Sequence, residues 1–82
     1  MGIREILAAN LRRYRRTAGL SQEELAHRAD IDRTYVSSLE RCQYAASIDV
    51  LDRLAHELGV DAADLLRRPT AAMDNASGRK RS

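Results

Sequence analysis

Hydrophobic residues recur at helical spacing in five separate segments of the chain. In the first segment, residues 3–18, an apolar side chain stands at every third or fourth position, which predicts a helix with one apolar side. These apolar residues are Ile3, Leu7, Leu11, Tyr14 and Ala18. We expect Arg12, Arg13 and Arg16, which lie between them, to face outward. No segment alternates with a period of two, so we predict no β-strand.

Capping residues delimit the second and third helices. Gly19 stands where the first pattern stops, and Ser21 with Glu24 forms the S-x-x-E capping box that opens the second helix. Asp32 is a good N-cap for a third helix that runs to about Arg41. The residues expected to face inward are Leu25, Ala26, Ala29, Val36 and Leu39. The residues left outside on the third helix are Arg33, Thr34, Ser37 and Ser38.

Two further helices follow after a loop of about five residues. Ser47 caps the fourth, which ends at Gly59, and Asp61 can cap a short fifth helix that Pro69 stops. The inward-facing residues of the fourth are Leu51, Leu54, Ala55 and Leu58. The prediction is therefore an all-α, compact bundle of five short helices.

The chain has 82 residues, fewer than the roughly 100–200 residues that one domain usually has, so we expect a single small domain. We expect residues 1–68 to form it and residues 69–82 to be a basic, disordered tail. The single cysteine excludes an internal disulfide framework, so helix packing or dimerisation must supply the stability. No apolar run approaches the roughly 20 residues of a membrane span, and no secretory signal is visible, so we expect a cytoplasmic protein.

Charge is unevenly distributed along the chain. Residues 1–41 carry a net charge of +2, residues 42–66 of −4 and residues 67–82 of +4. Thirteen of the 14 basic residues are Arg, whose planar guanidinium suits phosphate and guanine. This composition is compatible with binding of nucleic acid, and equally with a genome that encodes Arg by preference.

The second and third helices, joined by a very short turn, carry the clearest motif. The stretch G-L-S-Q-E-E-L-A at residues 19–26 and the pattern V-x-x-L-E-R at residues 36–41 resemble the phage-repressor and Cro (XRE-like) family of helix-turn-helix proteins. The stretch D-R-T-Y-V-S at residues 32–37 is most similar to the controller proteins of restriction–modification systems. The resemblance implies a lambda-repressor-like fold and a homodimer that binds inverted-repeat operators in double-stranded DNA, with the third helix in the major groove.

The resemblance also implies roles for residues outside the third helix. Gln22 matches the family's phosphate-contacting glutamine, although it can also be a plain first-turn helix former. Arg15 and Glu40 match a pair that bridges the first helix to the end of the third. The alternative for that pair is two unrelated surface charges.

The third helix is where the resemblance places sequence reading. Arg33 can bind guanine through two hydrogen bonds, and Thr34 offers a methyl group to thymine and a hydroxyl to phosphate or base, with Ser37 one turn later. Tyr35 matches a tyrosine close to the DNA backbone, with core packing as an almost equal alternative. The expected backbone contacts are Ser38, Arg41 and Gln43.

Three positions depart from the family pattern. Asp30 occupies a turn position where Gly is common, and Asp tolerates a positive φ. Cys42 stands where Gly or Asn commonly ends the third helix, which leaves the path of the next loop open. Tyr44 replaces a basic residue that reaches DNA in some controllers, so the target sequences of that subfamily do not transfer.

No arrangement of residues indicates an enzyme. His27, His56 and Cys42 lie in different predicted segments without metal-ligand spacing, and no glycine-rich nucleotide loop is present. We expect no catalytic residue, no metal, no cofactor and no small-molecule effector.

The acidic segment 42–66 should point away from DNA and is where we expect dimerisation. Leu65 and Leu66 are adjacent, so only one of them can face a small core, unless both cover it. The predicted apolar patch for a two-fold contact is Val50, Val60, Ala62, Leu65 and Leu66. Two alternatives stay open: a helical protein-interaction module, such as an antitoxin or adaptor, and a phage-type repressor without a link to restriction–modification.

Overall fold

The computed structural model describes residues 2–68 and places five α-helices along them. They are α1 (Ile3–Thr17), α2 (Gln22–Ala29), α3 (Arg33–Glu40), α4 (Ile48–Leu58) and α5 (Ala62–Leu65). No strand occurs within residues 2–68, which confirms the all-helical prediction. The predicted tail, residues 69–82, lies outside the described range. None of the helices described is long and apolar enough to cross a membrane.

Side-chain caps begin three of the helices where the sequence predicts them. The Ser21 hydroxyl accepts from the Glu24 N–H at 3.0 Å and the Glu24 carboxylate accepts from the Ser21 N–H at 2.9 Å. The Asp32 carboxylate accepts from the Thr34 N–H at 2.8 Å, and the Ser47 hydroxyl caps α4 in the same way. These bonds satisfy N–H groups that have no partner inside the helix.

The first four helices end in the same reverse turn. After each helix one residue adopts a left-handed conformation, with φ between 59° and 74°. The next residue's N–H then bonds to a carbonyl five positions earlier, as in the Schellman motif. The left-handed residues are Gly19, Asp30, Cys42 and Gly59. The positive φ expected at Asp30 is confirmed, and Cys42 makes the turn despite its side chain.

The core is aliphatic and lies where α1, α3 and α5 meet α2 and α4. The inward-facing residues predicted for α2 and α3 are all buried. The prediction for α1 is wrong at its ends, because Ile3 and Ala18 are exposed, whereas Ile6, Ala8 and Asn10 are buried. Since α1 packs against both α3 and α5, its buried surface is wider than a single stripe.

Asn10 fastens the last helix to the first. Its side chain is 1% exposed, and Nδ2 donates to the carbonyl oxygens of Leu65 at 3.0 Å and Arg67 at 2.8 Å. These carbonyls lie at the end of α5, where helical carbonyl groups lack partners of their own. A short helix that could not stand alone is thereby held in place.

Candidate nucleic-acid interface

The central feature is the pair of helices α2 and α3, joined by residues 30–32. Val36 and Leu39 of α3 are buried with Leu25 and Ala26 of α2. The small side chain of Ala26 permits close approach of the two helices. This packing leaves the other side of α3 facing outward, beginning at its N-terminus with Arg33 and Thr34, both exposed, and continuing to Ser37, which is half-buried.

A buried carboxylate joins α1, α2 and α3. The Glu40 side chain is 1% exposed, and its Oε2 accepts from Arg15 Nε at 2.6 Å. Its Oε1 accepts from Arg15 Nη2 and from Gln22 Nε2, both at 3.0 Å. The predicted pairing of Arg15 with Glu40 is confirmed. The network also connects this pair to Gln22, the first residue of α2. The sequence patterns do not reveal this connection.

Hydrogen bonds and charges keep Glu40 ionised. Burial by itself would raise the pKa of Glu40, but hydrogen bonds from Arg15 and Gln22 and the charges of Arg15 and Arg12 together lower it. The hydrogen bond to Glu40 likewise raises the pKa of Arg15. The pair is therefore a fixed electrostatic connection between the first and third helices.

Arg12 is placed differently from the expectation. Its Nη2 donates to the backbone carbonyl of Glu40 at 2.9 Å, and its Nε lies 3.6 Å from the Glu40 carboxylate. It does not simply face outward, because the end of α3 comes close enough to α1 to offer a carbonyl partner. Arg13 and Arg16 are exposed as predicted, with the Arg13 guanidinium 4.5 Å from the centre of the Tyr14 ring.

One predicted contact residue on α3 is not exposed. Ser38 was expected outside the bundle, but it is only 4% exposed. The C-terminal half of α3 packs against α1 as well as α2, so burial spreads around the helix. In the loop after α3, Arg41 and Gln43 are exposed. Tyr35, in the first turn of α3, is half-buried and packs against the core.

Comparison with known proteins identifies this arrangement. A family model described as helix-turn-helix matches residues 11–65. The chain belongs to the helix-turn-helix family. The match includes both helices of the central pair, the turn between them and the Arg15–Gln22–Glu40 network.

Two relatives of this helix-turn-helix protein are similar to it in sequence. It is 43% identical over 67 residues to a hypothetical transcription factor of Neisseria meningitidis serogroup B, a match that covers 82% of this chain and 63% of the relative. The chain thus spans less than two thirds of the Neisseria protein. It is also 43% identical over 68 residues to the control protein C.SmaI of Serratia marcescens, with 83% of this chain and 81% of that protein covered.

Solved structures support the same family assignment. The structure of a hypothetical transcription factor from Neisseria matches with a TM-score of 0.84 and 40% identity, over 89% of this chain and 84% of that one. The restriction–modification controller protein C.AhdI from Aeromonas hydrophila matches with a TM-score of 0.73 and 35% identity, over 76% of this chain and 94% of that one. The predicted resemblance to controller proteins is confirmed.

One residue of the predicted dimer patch, Leu65, is not at the surface. Leu65 is fully buried, and Val50, Val60 and Ala62 are half-buried and pack against the core. Leu65 lies inward because α4 and α5 pack against each other and against their neighbours. Leu66 is 37% exposed, so one of the two leucines is spare, as expected.

The large apolar side chains that are exposed around Leu66 come from other helices. They are Ile3 and Ile48, which are 56% and 83% exposed. Together with Leu66 they surround a depression of about 200 Å³ whose floor includes Leu7 and Leu51. We call Ile3, Ile48 and Leu66 the apolar patch.

His27, His56 and Cys42 are exposed and do not converge. Within residues 2–68 no group of three His, Cys, Asp or Glu side chains is arranged to hold a metal ion. The residues predicted to contact DNA lie on α3, at the start of α2 and in the loop after α3.

Proposed function

We propose that this protein is a cytoplasmic transcriptional regulator that binds operator DNA sequence-specifically as a homodimer, without a cofactor or catalytic activity. The observation that carries the proposal is the outward-facing polar side of α3, held by the network of Arg15, Gln22 and Glu40. A helix of this kind fits the major groove, where each base pair offers a distinct set of donors and acceptors.

The exposed residues of α3 read bases in this proposal. Arg33 stands in the first turn, where a guanidinium can bind the O6 and N7 atoms of guanine, and Thr34 can contact thymine or phosphate. Ser37 lies one turn further along the same side of the helix. Direct contacts from the first turn are typical of recognition helices.

Phosphate contacts come from residues around α3. Gln22 uses one amide N–H on Glu40, and its second N–H can donate to a phosphate at the start of α2. Arg41, Gln43 and Tyr35 lie in or against the loop that follows α3. Ser38 is left out of the proposed surface because it is buried.

A two-fold dimer gives the protein its reach along DNA. Two recognition helices about 34–36 Å apart contact successive major grooves. Single exposed apolar side chains are common on protein surfaces, but a group of them around one depression favours contact with a partner. The apolar patch of Ile3, Ile48 and Leu66 is such a group and therefore supports a two-fold dimer. The similarity to C.SmaI supports a controller role.

The test begins with selection of bound duplexes from a random DNA pool, followed by fluorescence anisotropy with the selected operator and a random duplex. Arg33→Ala should weaken operator binding by about 1–3 kcal/mol and relax selection at one guanine, with little effect on random DNA. Arg53→Ala, on the exposed side of α4, is the matched control. Failure of the wild-type protein to enrich any sequence would refute the proposal and favour a protein-interaction module.

A further inference from the structure

The loop after α3 is fastened to the helix by its backbone. Cys42, at φ 62°, reverses the chain direction. Its N–H donates to the Leu39 carbonyl at 3.2 Å, and the Gln43 N–H donates to the Ser38 carbonyl at 2.9 Å. Because both bonds return to the last turn of α3, residues 41–43 keep a defined position relative to that helix.

Two tyrosines connect the rest of this loop to the first turn of α3. The Tyr44 ring meets the Tyr35 ring edge-to-face, with the ring centres 6.2 Å apart and the planes at 89°. This is a favoured geometry for aromatic pairs. The Tyr35 hydroxyl also approaches the Ala45 carbonyl oxygen, at 3.5 Å. The loop therefore contacts the Tyr35 side chain at two points, its ring and its hydroxyl.

Tyr44 contributes little to the core, because its side chain is 59% exposed while that of Tyr35 packs against the core. Its contact with Tyr35 nevertheless places it beside the first turn of α3. We propose that Tyr44 is a positioning residue for DNA recognition, which fixes the direction of the half-buried Tyr35 ring in the first turn of α3. This inference rests on the proposed function.

The size of the effect follows from the freedom of the Tyr35 side chain. Without Tyr44, the ring can redistribute between about two staggered rotamers, because the third is rare in helices. Affinity falls in proportion to the fraction of molecules in the binding-competent rotamer. Loss of one aromatic pair extends this range to about tenfold. We therefore expect Tyr44→Ala to weaken operator binding by about two- to tenfold and to leave random-duplex binding nearly unchanged.

The experiment measures binding of two DNA probes by a set of variants. The probes are the operator duplex selected with the wild-type protein and a random duplex of equal length. Tyr44→Phe keeps the ring and should recover most of the affinity that Tyr44→Ala loses, whereas Tyr44→Leu, which keeps apolar bulk alone, should not. Tyr35→Ala and Tyr35→Ala/Tyr44→Ala should bind equally, because Tyr44 acts through Tyr35.

A second measurement needs no DNA. In the free protein, the ¹H chemical shifts of the Tyr35 ring should move in Tyr44→Ala and Tyr44→Leu and stay close to wild type in Tyr44→Phe. Unchanged shifts in Tyr44→Ala would overturn the inference.

Several binding results would also overturn it. They are equal weakening on both probes, wild-type binding by Tyr44→Leu, and a double variant whose loss is the product of the two single losses, which would mean that Tyr44 contacts DNA itself. These results leave the proposed function intact. A wild-type protein that selects no sequence refutes the proposed function, and the positioning role with it.

Discussion

Removal of either partner of the Arg15–Glu40 pair should destabilise the fold strongly, and removal of both should not. Glu40→Leu leaves the Arg15 guanidinium, whose side chain is 11% exposed, without a counter-charge. Breaking a buried pair in this way costs about 3–5 kcal/mol. A domain of this size has roughly 5–15 kcal/mol of stability in total, so either single variant should be close to unfolding.

The remaining contacts of Glu40 decide how much the double variant recovers. Arg12 is 44% exposed and Gln22 is half-buried, so water can replace Glu40 as their partner. In Arg15→Met/Glu40→Leu neither buried charge remains. Because buried ion pairs replaced by apolar side chains of similar volume are often neutral in stability, we expect a loss of about 1 kcal/mol or less.

Urea unfolding followed by circular dichroism at 222 nm measures these differences, since the chain has no tryptophan. The four proteins of the cycle should be compared at one concentration, because dimerisation adds to apparent stability. Single variants that each lose less than about 1 kcal/mol, or a double variant that loses the sum of the two, would refute the coupling across this pair.

The same pair predicts a pH dependence with a definite sign. The pKa of Glu40 is lowered in the folded state, so its contribution is fully present above the unfolded pKa of about 4.3 and is lost as the pH falls through the lowered value. The pKa values of Glu24 and Asp64 are also lowered, by hydrogen bonds at helix starts, and these effects are common to all four proteins. The difference in the free energy of unfolding between wild type and the double variant should therefore shrink as the pH falls from about 5 to about 3. This interval spans the unfolded pKa of about 4.3.

Three other substitutions test single features of the structure. Cys42→Gly should raise stability by about 1 kcal/mol, because glycine adopts the left-handed conformation at φ 62° without strain; a fall in the urea midpoint would contradict this account of the turn. Asn10→Ala should lower the free energy of unfolding by about 1–3 kcal/mol, since buried carbonyls at the end of α5 lose their donor, and an unchanged midpoint would show that water replaces it. Ile48→Glu should give a folded monomer in analytical ultracentrifugation with weaker operator binding, whereas Arg53→Glu, also on α4, should not; a dimeric Ile48→Glu protein would place the interface elsewhere.

The sequence by itself determined the helices and their ends. Ser21, Asp32 and Ser47 begin helices, and Gly19, Asp30 and Gly59 end them, through hydrogen bonds that reach at most five residues along the chain. Such bonds depend on local residue types and spacing, so the patterns that predict them do not require knowledge of the fold. The exposed first turn of α3 follows from the same periodicity.

Only the tertiary structure decided how the helices share their surfaces. Asn10 bonds to the carbonyl of Leu65, 55 positions away, and nothing near Asn10 in the chain indicates it. Ser38 is buried because α3 packs against both α1 and α2, whereas Ile48, the first residue of α4, is 83% exposed. Helical periodicity states which residues share a side of one helix, but the burial of that side depends on the position of every other helix.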